Sequence, residues 1–271
     1  MSELASSRSD TVTTPEVRLP SVAGVWRVRA VVELKEFFRQ REALVFTLLF
    51  PVILLLVFGA ILKYDIGFGV SFTQYFMAGV IAAGILGAGL QNMAISIATE
   101  RSDGTLKSLV GTPMPKSAYF VGKVVQVVAV TILIEAILLA VGALFYGVSL
   151  PTGSDWITFV WVTLLGSAAC TLLGIAFSSL AKNGRSASAT ITPIAIVLQF
   201  ISGVFFQFSM VPTWLQQIAR VFPLRHLVTA MQDVMVRGKG PTSVLPEIGL
   251  LLGFAVVLSV IAAWVFKWDD I

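Results

Sequence analysis

The chain has 271 residues, of which 56% are hydrophobic and only 13% are charged, and its mean hydropathy is +0.89. No soluble domain of this length tolerates so apolar a surface, so the sequence predicts an integral membrane protein without room for a sizeable soluble domain. The net charge of +4 is spread between apolar runs, which indicates membrane topology rather than nucleic-acid binding. The single cysteine, Cys170, excludes an intrachain disulfide and a Cys/His metal set.

The N-terminal part precedes the first long apolar run. Residues 1–21 are Ser/Thr-rich and charged and lack the apolar core of a signal peptide, which predicts a disordered cytosolic tail. In residues 22–42, apolar side chains recur at helical spacing, with Glu33 and its charged neighbours largely on the opposite face. This pattern predicts an amphipathic helix lying in the membrane interface.

Apolar runs long enough to cross a bilayer recur through residues 43–271. We predict six spans, at residues 43–62, 72–98, 124–146, 156–180, 187–208 and 248–266. The predicted fold class is therefore all-α integral membrane. The second span is rich in glycine at small-xxx-small spacing, which predicts tight helix packing.

The distribution of basic residues predicts the orientation. Six spans place both termini on one side, and fourteen of the nineteen Lys and Arg residues lie in segments on that side. Because cytoplasmic loops carry the excess of Lys and Arg, both termini are expected in the cytoplasm of a multi-pass protein of the plasma (inner) membrane.

The segment 209–247 lies on the outer side in this topology, yet it carries four basic residues. Apolar residues at helical spacing precede and follow Pro223. Neither piece is long or apolar enough to span, so we predict two outer re-entrant helices between spans five and six.

The sequence carries no recognisable catalytic motif. It lacks a phosphate-binding loop, a zinc-protease motif and a nucleophile elbow, and His226 is its only histidine. We therefore expect no catalytic residue, no metal site and no cofactor bound by this chain.

Glu135 lies near the middle of the third predicted span, where an unpaired charge costs about 2.5 to 3.5 kcal/mol. It could be a neutral acid hydrogen-bonded to a neighbouring helix, with Gln126, Gln199 or Thr192 as partner. It could also be a substrate or proton site, which would suit an ion-coupled secondary transporter.

Between the second and third spans lies a polar interruption, residues 99–123, which is long enough to hold a short helix. The helix is expected at about Arg101 to Leu109, and Pro113 and Pro115 are read as its stop and the lead-in to the third span.

Four motifs in order make the chain resemble the membrane-spanning permease subunits of type-2 ABC exporters, including daunorubicin-resistance permeases. They are Val32–Arg39, Leu49–Leu55, the Glu100–Lys107 pattern E-R-x-x-G-T-L-K followed by Thr112-Pro113, and Ser202–Phe206 with Val211–Leu215 and Pro223-Leu224. The E-R-x-x-G-T-L-K pattern is the most specific of the four, and the resemblance covers nearly the whole chain.

The resemblance implies an ATP-driven exporter whose ATPase is a separate chain, present in two copies that bind ATP and magnesium. The first cytosolic loop of this chain would form a coupling helix that docks on the ATPase, and the interfacial helix would provide a second contact surface. The contact residues would be Glu100, Arg101, Asp103, Gly104, Thr105, Leu106 and Lys107 of the loop, and Glu36 and Arg39 of the interfacial helix. Spans two and five would line the substrate pathway, with Asn92, Phe205 and Phe206 as contacts and Glu135 as a further candidate. A second copy of the chain or a related permease would complete the complex, and the cargo would be a drug, a lipid or a lipid-linked glycan.

Overall fold

The structure is a computed structural model of the chain and describes residues 21–66, 69–112, 114–181, 183–237 and 241–265. Some predictions fall wholly or partly on other residues and lie outside the described part. They concern the tail at 1–20, Pro113 in the interruption, residues 238–240 of the outer segment, and the end of the sixth span at 266.

The described residues form eleven α-helices and no strand, so the prediction of an all-α fold is confirmed. The helices are α1 (Val22–Arg39), α2 (Arg41–Ile61), α3 (Phe72–Leu86), α4 (Met93–Ser102), α5 (Thr105–Val110), α6 (Lys116–Tyr146), α7 (Asp155–Phe177), α8 (Gly184–Ile201), α9 (Thr213–Arg220), α10 (Pro223–Met235) and α11 (Leu245–Val265).

Helix α1 lies where the interfacial helix is predicted. It begins at an N-cap, because the Ser21 hydroxyl accepts a hydrogen bond from the Gly24 N–H at 3.2 Å. The predicted polar face is wrong at Glu33, which is buried together with Phe37 on the face that packs against the bundle. The reason is a buried partner on another helix, described below, which helical periodicity cannot reveal.

The second predicted span is one long rod with a change of helical type inside it. A π-helix at Gly87–Asn92, here called the π-segment, connects α3 to α4. A π-helix hydrogen-bonds to the fifth residue along the chain and so accommodates an extra residue. The rod continues to Ser102, beyond the predicted end at 98, and α6 begins at Lys116 rather than at 124.

The interruption is therefore shorter than predicted. Glu100 and Lys123 were assigned to it because they are charged, but both belong to helices. Their charges are compensated inside the protein, so they do not end the helices that carry them.

Five of the described helical stretches are long and apolar enough to cross a membrane. These are Leu44–Ile61, Phe72–Ser102, Lys116–Tyr146, Asp155–Leu180 and Leu245–Ala262, and they mark the chain as a multi-pass membrane protein. The predicted fifth span at 187–208 coincides with α8, whose first half is rich in Ser and Thr and which is not among the five. Helix α8 ends at Ile201, earlier than predicted, because a turn follows at Ser202.

The helix α3 and the π-segment lie at the centre of the bundle, and glycines let their neighbours approach. A Cβ atom on Gly79 would lie 2.6 Å from the Val204 carbonyl oxygen, and one on Gly89 would lie 2.6 Å from Cys170 Cβ. On the facing helix α7, a Cβ atom on Gly174 would lie 2.3 Å from the Gly89 oxygen. Such close backbone contact is what small residues permit between membrane helices.

The segment between α8 and α11 contains the two short helices α9 and α10, separated at the predicted break before Pro223. Pro223 is the first residue of α10, where its missing N–H costs nothing. Helix α10 is largely buried against the bundle, where Leu227 faces Gly166 of α7. Its depth in the outer leaflet stays a prediction.

Candidate functional site

The interruption contains its own short helix, α5, which follows a left-handed glycine. Gly104 has φ +82°, a conformation that an α-helix cannot continue through, so the expected single helix from Arg101 to Leu109 is wrong. The Asp103 carboxylate accepts a hydrogen bond from the Thr105 N–H at 3.0 Å, and this bond lowers the pKa of Asp103. The carboxylate thereby compensates one free N–H at the start of α5.

The predicted coupling residues divide into an exposed and an inward-facing set. Asp103, Thr105, Lys107, Glu36 and Arg39 are exposed. Leu106 and Glu100 are buried, and Gly104 and Arg101 are half-buried. The exposed set is available to a partner protein, whereas the others contact this chain itself.

A buried ion-pair network surrounds Lys123, the residue on which three helices converge. Its ammonium group is 2.9 Å from a Glu33 carboxylate oxygen of α1, and it also pairs with Glu100 of α4. It further donates to the Ser96 hydroxyl at 2.7 Å, and Tyr119 donates to Glu100 at 2.9 Å. Lys123 and Glu33 are each only 1% exposed, so these bonds replace water almost completely.

Arg29 completes the charge balance of this cluster. It pairs with Glu33 one turn away on α1, and its guanidinium lies 5.4 Å from the centre of the Tyr119 ring. Two cations then face two carboxylates, which is the condition under which buried charges are tolerated. Burial raises the pKa of Glu33, although Lys123 and Arg29 oppose that shift.

Arg101 connects α4 to the loop between α7 and α8. Its guanidinium donates to the carbonyl oxygens of Ser178 and Ala181, each at 2.9 Å. The Gly184 N–H donates to the Ser102 hydroxyl at 3.0 Å in the same region. The end of α4 is therefore fixed to α1 and α6 on one side and to the α7–α8 loop on the other.

A cavity of about 310 Å³ lies between α2, the rod of the second span and α8. Three of the predicted pathway residues, Asn92, Phe205 and Phe206, line it together. None of the described residues along its wall carries a charge. A concave, mostly apolar space with a few polar groups is the usual form of a small-molecule site.

The cavity has a polar end and an aromatic end. Toward α4, Asn92 donates to the Thr47 hydroxyl at 3.4 Å, and Gln91 donates to the Thr192 hydroxyl at 3.0 Å. At the opposite end Phe205 lies among other aromatic rings, with its ring centre 4.7 Å from that of Phe200. The polar end is the one nearer the Lys123 network, because the π-segment leads directly into α4.

Glu135, the fourth pathway candidate, lies elsewhere. It is buried and is not among the residues that line the cavity. The Thr163 hydroxyl of α7 donates to its carboxyl group at 2.7 Å. The predicted partners Gln199 and Thr192 are therefore wrong, because α6 turns this face toward α7 rather than toward α8. Gln126 is wrong because it lies on α6 itself, more than two turns before Glu135.

The comparisons with known proteins place these features in a family. Residues 68–264 match the sequence profile described as ABC-2 family transporter protein. The chain belongs to this family. The matched range includes α3 to α10, the π-segment and the buried Lys123 and Glu100.

Several transport permeases are similar to the chain at low identity. The probable multidrug ABC transporter permease YbhR of Escherichia coli (strain K12) is 24% identical over 144 residues, which cover 53% of this chain and 39% of YbhR. The putative transport permease YvfS of Bacillus subtilis (strain 168) is 19% identical over 218 residues, covering 80% of this chain and 88% of YvfS. The inner membrane transport permease YadH of E. coli (strain K12) is 22% identical over 233 residues, covering 84% of this chain and 90% of YadH.

Sequence reasoning missed two features of this ABC-2 chain. Lys123 was placed at the edge of a span and not paired, although a lysine entering an apolar run is itself a signal that a carboxylate lies nearby. The π-segment gave no signal beyond its glycines at 87 and 89, which also fit simple helix packing.

Proposed function

We propose that the chain is the membrane-spanning subunit of an ATP-driven exporter. The observation that carries the proposal is the buried Lys123 network, which joins α1, α4 and α6 directly beside the exposed helix α5. An ABC-2 chain without a phosphate loop needs a separate ATPase. Two ATPase copies, each binding ATP and magnesium, would press on α5 and on the exposed end of α1 when they close.

The Lys123 network would transmit the movement of the ATPase subunits to the membrane helices. Since Lys123 and Arg101 fix the end of α4 on both sides, a displacement of α5 moves α4 instead of being lost in a loose loop. Helix α4 continues into the π-segment, which carries the polar end of the cavity. ATP binding would in this way shift the cavity between inward-open and outward-open states.

The cavity favours a hydrophobic or amphipathic cargo. Its aromatic end offers apolar surface, and its polar end offers amide and hydroxyl groups without a charge. The name of YbhR, a probable multidrug permease, agrees with a cargo of this class. The cavity wall formed by α2 and α8 would face a second copy of the chain or a related permease across a two-fold axis.

The proposed topology has six spans, with α8 as the fifth, and both termini in the cytoplasm of a plasma (inner) membrane. Ion-coupled transport through Glu135 is not favoured, because Glu135 does not line the cavity. Its carboxyl group instead accepts a hydrogen bond from the Thr163 hydroxyl of α7.

The docking surface can be tested without disturbing the core. Lys107→Glu reverses an exposed charge on α5, and Gly104→Pro forbids the left-handed conformation that α5 requires. Both variants are expected to lose at least about 1.4 kcal/mol of ATPase binding, a tenfold rise in Kd, so that less ATPase co-purifies with them. The stimulation of ATP hydrolysis by a lipophilic dye such as rhodamine 123 should fall in parallel.

Two variants serve as controls. Lys63→Glu reverses an exposed charge just after the C-terminal end of α2. Gly104→Asn introduces a residue that tolerates positive φ. Both should behave like the unchanged protein. Equal ATPase recovery in all four variants would contradict the assignment of α5 as the docking element.

A further inference from the structure

The turn at residues 202–207, here called the aromatic turn, forms the end of the cavity opposite the coupling elements. It follows α8 and carries Phe205 and Phe206, which both line the cavity. Phe205 is 8% exposed and also packs near Phe58 and Phe76, with ring centres at 6.4 and 6.2 Å. This turn therefore forms the wall of the cavity at that end.

Arg225 of α10 contacts the aromatic turn and the residue that follows it. Its guanidinium donates to the Ser202 carbonyl oxygen at 3.1 Å, at the point where α8 ends. The same group stacks on Phe208, with the guanidinium carbon 3.6 Å from the ring centre. One side chain thus contacts the first residue of the turn and the residue that follows it, which fixes the turn between them.

Gly203 allows this close approach. It has φ +86°, and a Cβ atom at this position would lie 3.0 Å from Arg225 Nη1 and 3.3 Å from Phe208 Cβ. A larger residue would have to displace the guanidinium. The turn and the arginine are therefore matched in shape as well as in hydrogen bonding.

Two other side chains reach the same turn with weaker contacts. The Tyr75 hydroxyl lies 3.5 Å from the Phe206 oxygen, and the Gln232 amide lies 3.5 Å from the Gly203 oxygen. These distances are at the outer limit for a hydrogen bond, whereas the Arg225 bond is of ordinary length and is charge-assisted. Arg225 accordingly contributes most of the restraint.

We infer that Arg225 is a positioning residue that holds the aromatic turn closed, and that cargo leaves the cavity when this contact opens. The inference rests on the proposed function, because it assumes that the cavity carries cargo. The contact suits a reversible gate, since Arg225 bonds a neutral carbonyl and no ion pair to a carboxylate is found for it among the described residues. Burial lowers the pKa of Arg225 only to about 10, so the guanidinium is charged at neutral pH.

Access to the cavity provides the test, and it needs neither ATP nor cargo. A reporter cysteine is placed at Thr192 of the cavity wall, while the native Cys170 is buried. A charged, membrane-impermeant maleimide is added from the side of α9 and α10. Arg225→Gln is expected to raise the labelling rate by about tenfold or more, since a hydrogen bond to a charged group contributes at least that factor.

Matched variants separate gating from general damage. Arg220→Gln changes an exposed arginine of α9 and should leave the rate unchanged, while Arg225→Lys keeps a charged donor and should restore most of the protection. Gly203→Ala should raise the rate with Arg225 still present, which also covers the case in which Arg225→Gln fails to fold.

Unchanged labelling in both Arg225→Gln and Gly203→Ala would overturn the inference, as would an equal increase in Arg220→Gln. ATPase binding by the α5 variants tests the proposed function, whereas the labelling rate tests only the gate. Failure of the gate and failure of the proposed function are therefore told apart.

Discussion

Lys123 is the residue on which the buried network depends, because it is the cation shared by Glu33 and Glu100. Lys123→Met would leave two buried carboxylates with only Arg29 to compensate them. Breaking a buried pair on one side costs about 3–5 kcal/mol. We expect a loss of this order in the free energy of unfolding, measured by denaturant titration of the detergent-solubilised protein.

A second substitution added to Lys123→Met shows whether unpaired charge causes the loss of stability. Lys123→Met combined with Glu100→Gln removes one of the unpaired charges and should recover part of the lost stability. Lys107→Met changes an exposed lysine and should cost less than about 0.5 kcal/mol. If the double variant were no more stable than Lys123→Met alone, the ion pairing would not be the source of the effect.

The π-segment is the element that connects the cavity to α4 and the coupling elements. Because a π-helix holds one residue more than the α-helix it replaces, deleting Gly87 should convert this stretch to α-helix. Phe76 and Glu100 would keep their positions on either side. We expect the deletion variant to insert and to retain most of its thermal stability, while Gln91 and Asn92 shift along the cavity wall and rhodamine 123 transport is lost.

Deletion of Ala129 from α6 is the comparison. That helix has no π-segment to absorb the missing residue, so everything on one side of the deletion rotates by about 100° relative to the other. Lys123 would then no longer face α1 and α4 while Glu135 faces α7. Similar stability of the two deletion variants would argue against a π-segment that can relax.

At the scale of the whole molecule, the proposed six-span topology predicts that α8 crosses the membrane. If it does, Ser179 before it and Gln217 in α9 lie on opposite sides. In intact cells, an impermeant maleimide should label Gln217→Cys and leave Ser179→Cys unlabelled until the membrane is opened. The native Cys170 is buried and should stay silent, and labelling of both positions from one side would give a five-span topology.

Much of the helical layout could be predicted, because apolar length and helical spacing are local properties. The break before Pro223 and the five longest spans are examples. Helix ends were predicted less well, since Glu100 and Lys123 are charged and yet helical. Charge ends a membrane span only where water must solvate it, and here other helices do so.

The candidate site was predictable only in part. Asn92, Phe205 and Phe206 do share a cavity, but the burial of Glu33 and the bond between Glu135 and Thr163 depend on which helices become neighbours. Gly104 lies inside the helix expected at about Arg101 to Leu109, whereas its left-handed φ ends one helix and starts the next. No periodicity in a single sequence carries that information.

The residues of the buried Lys123 network are synthesised at different times, and this order affects when the network can form. Glu33 emerges with Arg29 already one turn away, but Glu100 must wait for α6, because Lys123 and Tyr119 both belong to that later helix. Until α6 is in place, Glu100 lacks both of these partners and keeps the hydrogen bond from the Ser96 hydroxyl of its own helix. We therefore expect α4 to reach its final position only after α6 has been inserted, so that the two halves of the network are completed late in synthesis.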